Sequence, residues 1–490
     1  MIPPARPRSE LLSRPLLDQI VEEGFLLLGR EGVFVENREA RSLLRGAGQD
    51  VDESTGRVRI GRALIETCLA STPGRITLYD RSGERAYDVG GDEVHFDPGS
   101  AAVRILDHAT QRERKAGTRD LVEHARVADA CGSVHFQSTA IVASDVPEVV
   151  ADSFRMLVGL QYSAKPMVTG TFRVQGFRPM LEMLAAVRGG SEELRRKPLA
   201  IFDACPSPPL KWSELTAQSL IDAARAGIPS ELISMGLTGA TSPVTIAGTL
   251  VQHVAETLSG LVICQLARSG APVIFGGSPA SFDMRRGTTP MGAVETMMID
   301  MAYAQIGKSL NLPTHAYMGL SDSKLVDAQA GYETGMGAVL AALAGINVVS
   351  GAGMLDFEST QSLEKLVIDD EICAMALRLI EGIAQREDPL ALHLFEGSGP
   401  NSEFLSRPHT REWYRREHLF ARMADRNPYE AWLGLGGKSQ AERAHDRVAE
   451  ILAKTAPNVP DDSLRAELIR IVSAEAARSG VGGLPETRMD

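Results

Sequence analysis

The segment PTHAYMGLSDSKLVDAQAGYE, residues 313–333, contains the unit from which the fold can be read. It opens as a short apolar strand, crosses a charged turn, and continues as a helix on which Gln329 and Glu333, four apart, share a face. Apolar runs of the same kind stand at 133–139 (SVHFQST), 166–171 (PMVTGT), 199–205 (LAIFDAC), 231–237 (ELISMGL), 272–278 (PVIFGGS) and 346–353 (INVVSGAG). Their centres are 32–42 residues apart, with Ala- and Leu-rich helical sequence between them. That pitch is the strand-plus-helix unit of a parallel sheet. Seven such units predict an α/β protein of the (β/α)8 TIM-barrel class. ALHLFEG (391–397) and AAVRILD (101–107) are the two candidates for the eighth strand.

Sequence outside this rhythm predicts additions to the barrel. Residues 1–14 read as a loose arm, followed by a helix-period run that turns into a strand near residues 33–35. RITLYDRSGERAYDVGG, 75–91, is a hairpin signal. The expected organisation is an N-terminal helical cap with a β-hairpin over 1–110, a catalytic barrel over 111–400, and a C-terminal helical extension over 401–490. RAHDRVAEILAKT and SLRAELIRIVSAEAARSG are the last helices of that extension.

Bulk composition narrows the function classes. The 490 residues are 44% hydrophobic with a formal charge of -12, and no long Lys/Arg run suggests a nucleic-acid surface. Five scattered cysteines without a C-x-x-C pair suit free thiols in a reducing compartment. No secretory leader or membrane-length apolar run is legible, so a cytoplasmic protein without membrane contact is expected.

Function in such a barrel sits at the C-terminal ends of the strands. Four of those ends carry glycine, leaving room for a ligand at the mouth. The loop after the 313–319 strand, the sixth of the seven, supplies Asp322, Lys324, Gln329 and Glu333. Ser321 or Asp322 is placed to cap the following helix, and Gly331, Gly335, Ala338 and Ala342 form a small-residue stripe for packing on the barrel. On the plain structural reading, Lys324 is a surface charge and Gln329 and Glu333 a solvated face. A second charged cluster, SPASFDMRRG at 278–287, holds Phe282, Asp283 and Arg285. A third, SGAGMLDFES at 350–359, begins with Ser350. His315, inside a strand, reads as a core histidine. No zinc-protease, Walker A or nucleophile-elbow motif is present, nor the D-x-H-x-x-G by which proteins hold a corrinoid through histidine.

Several longer segments resemble the corrinoid-dependent trimethylamine methyltransferase family, including its members that demethylate quaternary amines such as glycine betaine. They are GLTGATSPVTIAGTLVQHVAETLSGLVICQLARSGAPVIFGG, DSKLVDAQAGYET, ALAGINVVSGAGML, SLEKLVIDDEI, FLSRPHTREWYRRE and DRNPYEAWLGLGG. The resemblance runs from about residue 12 to 478. It implies a TIM barrel, a homo-oligomer, and methyl transfer from an amine to the cobalt of a corrinoid (cobalamin) supplied by a separate protein. It also assigns His409 to structure or to docking that partner. In members that carry pyrrolysine, the resemblance places it directly before S-D-S-K, at Leu320 here. A quaternary ammonium leaves as a neutral tertiary amine and needs positioning and dehydration rather than activation, for which leucine suffices.

The reading is therefore a non-pyrrolysine amine N-methyltransferase for a betaine-like quaternary amine. Asp322, Gln329 and Glu333 are the expected catalytic residues. Phe282, Asp283, Arg285, Tyr317, Leu320, Lys324 and Ser350 are the expected substrate contacts. The aromatics would face the cation, while Arg285, Lys324, Ser350 or the backbone of 351–353 would meet a carboxylate. Phe136, Phe172, Phe202, Tyr332 and Phe357 are further aromatic candidates. Two alternatives stand beside it: a TIM-barrel lyase or aldolase with Lys324 as a buried Schiff-base amine, and a non-catalytic quaternary-amine binder.

Overall fold

The computed structural model describes residues 4–99, 101–400 and 402–487; the outermost ends of the expected arm and tail, and the boundary residue 401, lie outside these. Eight strands alternate with eight helices. They run β1 (His95–Asp97), α1 (Thr118–Ala130), β2 (Gln137–Ser138), α2 (Ala151–Tyr162), β3 (Met167–Thr169), α3 (Phe177–Arg188), β4 (Ala200–Ala204) and α4 (Glu214–Ala226). The second half is β5 (Ser230–Ser234), α5 (Ile246–Ala267), β6 (Val273–Gly277), α6 (Val294–Ser309), β7 (His315–Tyr317), α7 (Ala328–Ala344), β8 (Val348–Ser350) and α8 (Leu363–Ile380). Parallel ladders link β2 through β6 in order and β7–β8–β1. Parallel bridges Phe96–Val134 and Phe275–Thr314 join the two arcs and close the barrel.

Neither candidate for the eighth strand is a barrel strand. The missing strand is the first, His95–Asp97, inside the segment read as N-terminal cap, and the 313–319 strand is consequently the seventh. Residues 104–107 pair antiparallel with 112–115 and lie beside Thr360 and Gln361, which pair with Met354 and Leu355; this ribbon follows directly from β1 and β8 at the C-terminal end of the barrel. Residues 392–395 form a 3-10 turn.

The predicted hairpin, Arg75–Tyr79 with Ala86–Gly90, closes the opposite end. Ile76, Leu78, Tyr87 and Val89 form one buried cluster with Phe136, Val168, Ile201, Ile274 and Val348 from the barrel strands. The barrel therefore has an apolar floor. The helix α5 is, among the described residues, the one long and apolar enough to cross a membrane, but 78% of its apolar window is buried in this fold. The N-terminal helix Arg14–Arg30 crosses it so closely that a Cβ on Gly24 would collide with Val254. The C-terminal helices Gln440–Lys454 and Asp462–Arg478 dock through Ala444, Val448 and Ile451 on one side and Leu468, Ile471 and Val472 on the other.

The helix after the charged loop packs differently from its expected stripe. Gly331 and Gly335 face open space, whereas Ala330, Glu333, Thr334, Gly337, Ala338, Ala341 and Ala342 are buried. Gly337 makes the close approach: a Cβ there would run into the Met318 carbonyl. The N-cap is Asp327, which accepts from the Ala330 N–H at 3.0 Å, not Ser321 or Asp322.

Candidate active site

Side chains alternate across a strand, so the residue two positions after each floor residue also points inward, one layer higher. From Ile201 this gives Asp203; from Val348, Ser350; from Ile274, Gly276. With Asp97, Glu231 and His315 they form a polar layer in the barrel centre. Four of its members, Asp97, Glu231, His315 and Ser350, are fully buried. Gly276 makes space for it, because a Cβ there would lie 3.0 Å from His315 Nδ1.

The layer is a hydrogen-bonded chain. The Ser350 hydroxyl donates to Asp97 at 2.6 Å and lies 3.0 Å from His315 Nε2. With the serine proton committed to Asp97, Nε2 is the protonated nitrogen and Nδ1 is bare. That bare nitrogen faces Glu231 Oε1 at 3.6 Å. Burial pushes His315 down to about 3, so this contact is no ion pair. Burial likewise raises Asp97 to about 6 and Asp203 to about 7. Glu231 is raised well above the carboxylate range by burial and by neighbouring Asp203, to which it is hydrogen-bonded. Two acceptors in contact must share a proton. Arg155 bears on Asp203 but is already held by Asp152 at 3.2 Å and by the Thr139 carbonyl at 2.9 Å.

Above the layer the walls turn apolar again. Tyr317, Leu320, Ile233, Met291 and Met354 form one buried cluster at the mouth, with Cys205 packed against it. The Tyr317 ring stands edge-on to His315.

Asp322, Gln329 and Glu333 are brought together, and none lies on a solvated face. Glu333 accepts from the Ser321 hydroxyl at 2.6 Å, the Asp322 N–H at 2.8 Å and the Gln329 amide at 3.0 Å. Asp322 reaches across to the loop between β6 and α6, accepting from the N–H groups of Met291 and Gly292 at 2.9 and 3.0 Å. Burial and nearby Glu333 outweigh those bonds, and Asp322 is raised to about 6.

The sequence reading missed the polar layer as a unit, and it missed Glu358. Asp356, Phe357 and Glu358 take three consecutive left-handed conformations (φ 49°, 53° and 68°), none at a glycine. Such backbone costs about 1–3 kcal/mol per residue and gathers at functional sites. The Glu358 Oε1 atom is sealed and has no hydrogen-bond partner. Burial, then Asp322, raises its carboxyl to about 8.

Other expected contacts are dispersed. Asp283 is held by Arg285 and Arg286 in a surface turn, which keeps it well below the usual carboxylate range, and Arg285 is largely exposed. Phe282 is half-buried beside Thr238. Lys324 is exposed at the rim, 3.9 Å from the Phe357 ring centroid and 3.2 Å from Asp356. Ser350 belongs to the buried chain. The N–H groups of 351–353 are committed to Asp97 and Asp369. Phe136 lies in the floor, Phe202 packs on Phe177, and Tyr332 is exposed. Phe172, Met235, Val244 and Met284 are exposed in the loops after β3, β5 and β6, the last two converging on Gly239.

Residues 2–479 match the profile of the family described as trimethylamine methyltransferase (MTTB). The chain belongs to that family. It is 33% identical over 450 residues to a trimethylamine methyltransferase of Desulfitobacterium hafniense, covering 92% of this chain and 90% of the relative. It is 32% identical over 479 residues to a glycine betaine methyltransferase of the same species, covering 97% and 98%. Among solved structures, the Methanosarcina barkeri monomethylamine methyltransferase superposes with a TM-score of 0.54 at 13% identity, over 91% of this chain and 89% of that one, a likeness of fold. In this family member Leu320 is 2% exposed and packs against Gly351, where a Cβ would sit 2.8 Å from the leucine Cβ. The position beside Tyr317 in the mouth cluster is thus held by a hydrocarbon side chain.

Proposed function

We propose that this trimethylamine methyltransferase family member takes a methyl group from a quaternary amine of the betaine type, glycine betaine or a relative, and passes it to a corrinoid on a separate carrier protein. The observation that carries this reading is charge chemistry at the mouth. Asp97, Asp203, Glu231, Asp322 and Glu358 all have carboxyls raised by burial, around an apolar collar. Buried acids without counter-charge hold protons; a cation that cannot itself donate a hydrogen bond restores their charge. A quaternary ammonium fits, with the face of Tyr317 as an added attraction.

The chain's own residues position and dehydrate. Asp322 ties the loop after β7 to the loop after β6, and Glu333 with Gln329 holds residues 321–322 in place. Their bonds are all internal, so these three orient the pocket rather than move protons. Glu358 supplies the counter-charge nearest the rim, and Leu320 excludes water where an activating group would otherwise stand. On transfer the C–N bond breaks and its electron pair stays on nitrogen, giving a neutral tertiary amine, so no general acid is required. Bound on its carrier, the corrinoid supplies the nucleophile that accepts the methyl group. The exposed apolar rim at Phe172, Met235, Val244 and Met284 supports docking of such a carrier over the mouth. Lys324 is the remaining rim donor for a betaine carboxylate.

A lyase using Lys324 as a Schiff-base amine would need that amine buried, and its side chain is 60% exposed. The deciding assay mixes the protein with a carrier reduced to Co(I) and follows loss of Co(I) absorbance with glycine betaine, other betaines and trimethylamine. Faster turnover of trimethylamine than of any betaine overturns the substrate reading. Binding of betaine without any methylation would make the protein a binder rather than an enzyme.

A further inference from the structure

A cluster of metal-ligating side chains lies away from the barrel centre, where three separate elements meet. His108 is in the turn of the hairpin that joins 104–107 to 112–115. Glu364 is in the first turn of α8, and His445 is in the C-terminal helix 440–454. One ligand atom from each lies within 4.8 Å of the other two. His445 Nδ1 is 2.9 Å from Glu364 Oε1, and His108 Nδ1 is 3.8 Å from the same oxygen. The two imidazoles stack in parallel, 3.9 Å between centroids and 5° between planes. Glu364 is otherwise buried, and Ser362 donates to its second oxygen at 3.2 Å. Such outer hydrogen bonds fix metal-ligating carboxylates.

We propose that His108, Glu364 and His445 bind a divalent transition-metal ion of the zinc class, which pins the hairpin at the mouth to the C-terminal helix. Two imidazoles and one carboxylate form the donor set for a borderline ion such as Zn2+. Ligand atoms about 2.0–2.2 Å from a tetrahedral ion sit roughly 3.4 Å apart. The two distances to Glu364 Oε1, 2.9 and 3.8 Å, bracket that figure, and a movement of the His108 ring toward the carboxylate would close the site. His445 is half exposed, which leaves the fourth position to water. The mechanical consequence follows from connectivity. The hairpin's N–H groups at Val103 and Arg104 both donate to the Ser359 carbonyl, the residue after Glu358. An ion at the hairpin turn would therefore steady the loop that carries the Glu358 carboxylate.

The test uses the full chain, stripped with chelator and dialysed. Co2+ is titrated in while its ligand-field absorption is followed, then Zn2+ is added in competition, and thermal melting is recorded with and without metal. The expected result is one equivalent of Co2+ per chain, displaced by Zn2+, with a metal-dependent rise in Tm. His445→Ala and Glu364→Gln should each weaken affinity by at least about 100-fold, beyond what loss of an outer-shell partner costs, and abolish the Tm rise. His445→Asn, which keeps a polar side chain at that half-exposed position, serves as a second variant if alanine disturbs folding. Metal uptake equal in the wild type and the His445 variants, or no stoichiometric uptake by the wild type, overturns the proposal. The hydrogen bond between His445 and Glu364, with the stacked His108 ring, would then account for the cluster.

Discussion

Glu358→Gln isolates the charge chemistry of the mouth, because glutamine keeps the shape of a protonated carboxyl and removes its ability to ionise. In the free protein the carboxyl is raised from an ordinary 4.5 to about 8, so at pH 7 it is mostly protonated. A quaternary ammonium beside it needs the carboxylate. Ionising a group one unit above the ambient pH costs about 1.4 kcal/mol. Removing one partner of a buried ion pair costs roughly 3–5 kcal/mol. The difference, about 2–3.5 kcal/mol, corresponds to a Kd for glycine betaine weakened roughly 30- to 300-fold. Calorimetry between pH 6 and 9, in buffers of different ionisation heat, supplies the check. Wild-type affinity should rise with pH up to about 8 and binding near pH 7 should release most of a proton, while the variant should lose both features. Stability carries the same signature with a defined sign. A carboxyl whose folded pKa is raised stabilises the fold fully below its unfolded value near 4.5, and that contribution is lost as pH rises through about 8. The loss is at most about 5 kcal/mol for this shift, and Glu358→Gln should flatten that limb of the melting curve. Unchanged betaine affinity and unchanged proton release in the variant would refute the assignment of Glu358 as counter-charge.

Gly337→Ala should lower stability by about 1–3 kcal/mol through overpacking against the Met318 carbonyl. In contrast, Gly331→Ala and Gly335→Ala, which face open space on the same helix, should raise it by up to about 1 kcal/mol; thermal melts distinguish the three. Tyr317→Ala should weaken betaine binding by about 0.5–2 kcal/mol beyond its packing loss, with Tyr317→Phe retaining the ring attraction, and calorimetry on both variants separates the effects. Met284→Glu and Val244→Glu, on exposed rim positions, should slow methyl transfer to the carrier protein while leaving betaine affinity unchanged. A parallel loss of both would place them in the pocket instead.

Much of the architecture is legible because barrel strands buried on both faces read as apolar runs, and the spacer helices set their pitch. Seven strands follow from that, and the floor hairpin from the turn residues between its two short strands. The first strand escapes because it is three residues long and two of them, His95 and Asp97, are polar; only its ladder with β8 and the bridge to Val134 make it a strand. The charged cluster at 283–286 misleads for a local reason: its charges satisfy one another. Glu358 escapes because nothing in D-F-E announces three left-handed residues in a row. For the polar layer a usable signal existed. Asp203 and Ser350 each stand two residues beyond an apolar floor position, in phase with the barrel interior, and His315 and Glu231 share that inward face. Which of them meet depends on the order in which eight strands close, and no single strand contains that information.

That layer is also the strongest argument that the barrel centre is built for a ligand. A barrel interior selected for stability alone is filled with Val, Ile and Leu; this one is filled with aliphatic and aromatic side chains at its floor and is apolar again, with Met, Ile, Leu, Ala and Tyr, at its mouth. Between them it keeps three carboxyls, a neutral histidine and a serine, and apart from the proton Asp203 and Glu231 share, no N–H or O–H donor reaches Asp203 Oδ1, either Glu231 oxygen or His315 Nδ1. Buried polar groups left unpaired oppose folding by about 1–3 kcal/mol each, and the left-handed turn that aims Glu358 inward adds backbone strain. Departures from local consistency concentrated at one end of an otherwise consistent fold mark a functional site. Their shared sign, acidic and proton-holding, is what supports the proposal of a quaternary ammonium, a cation that brings no proton of its own.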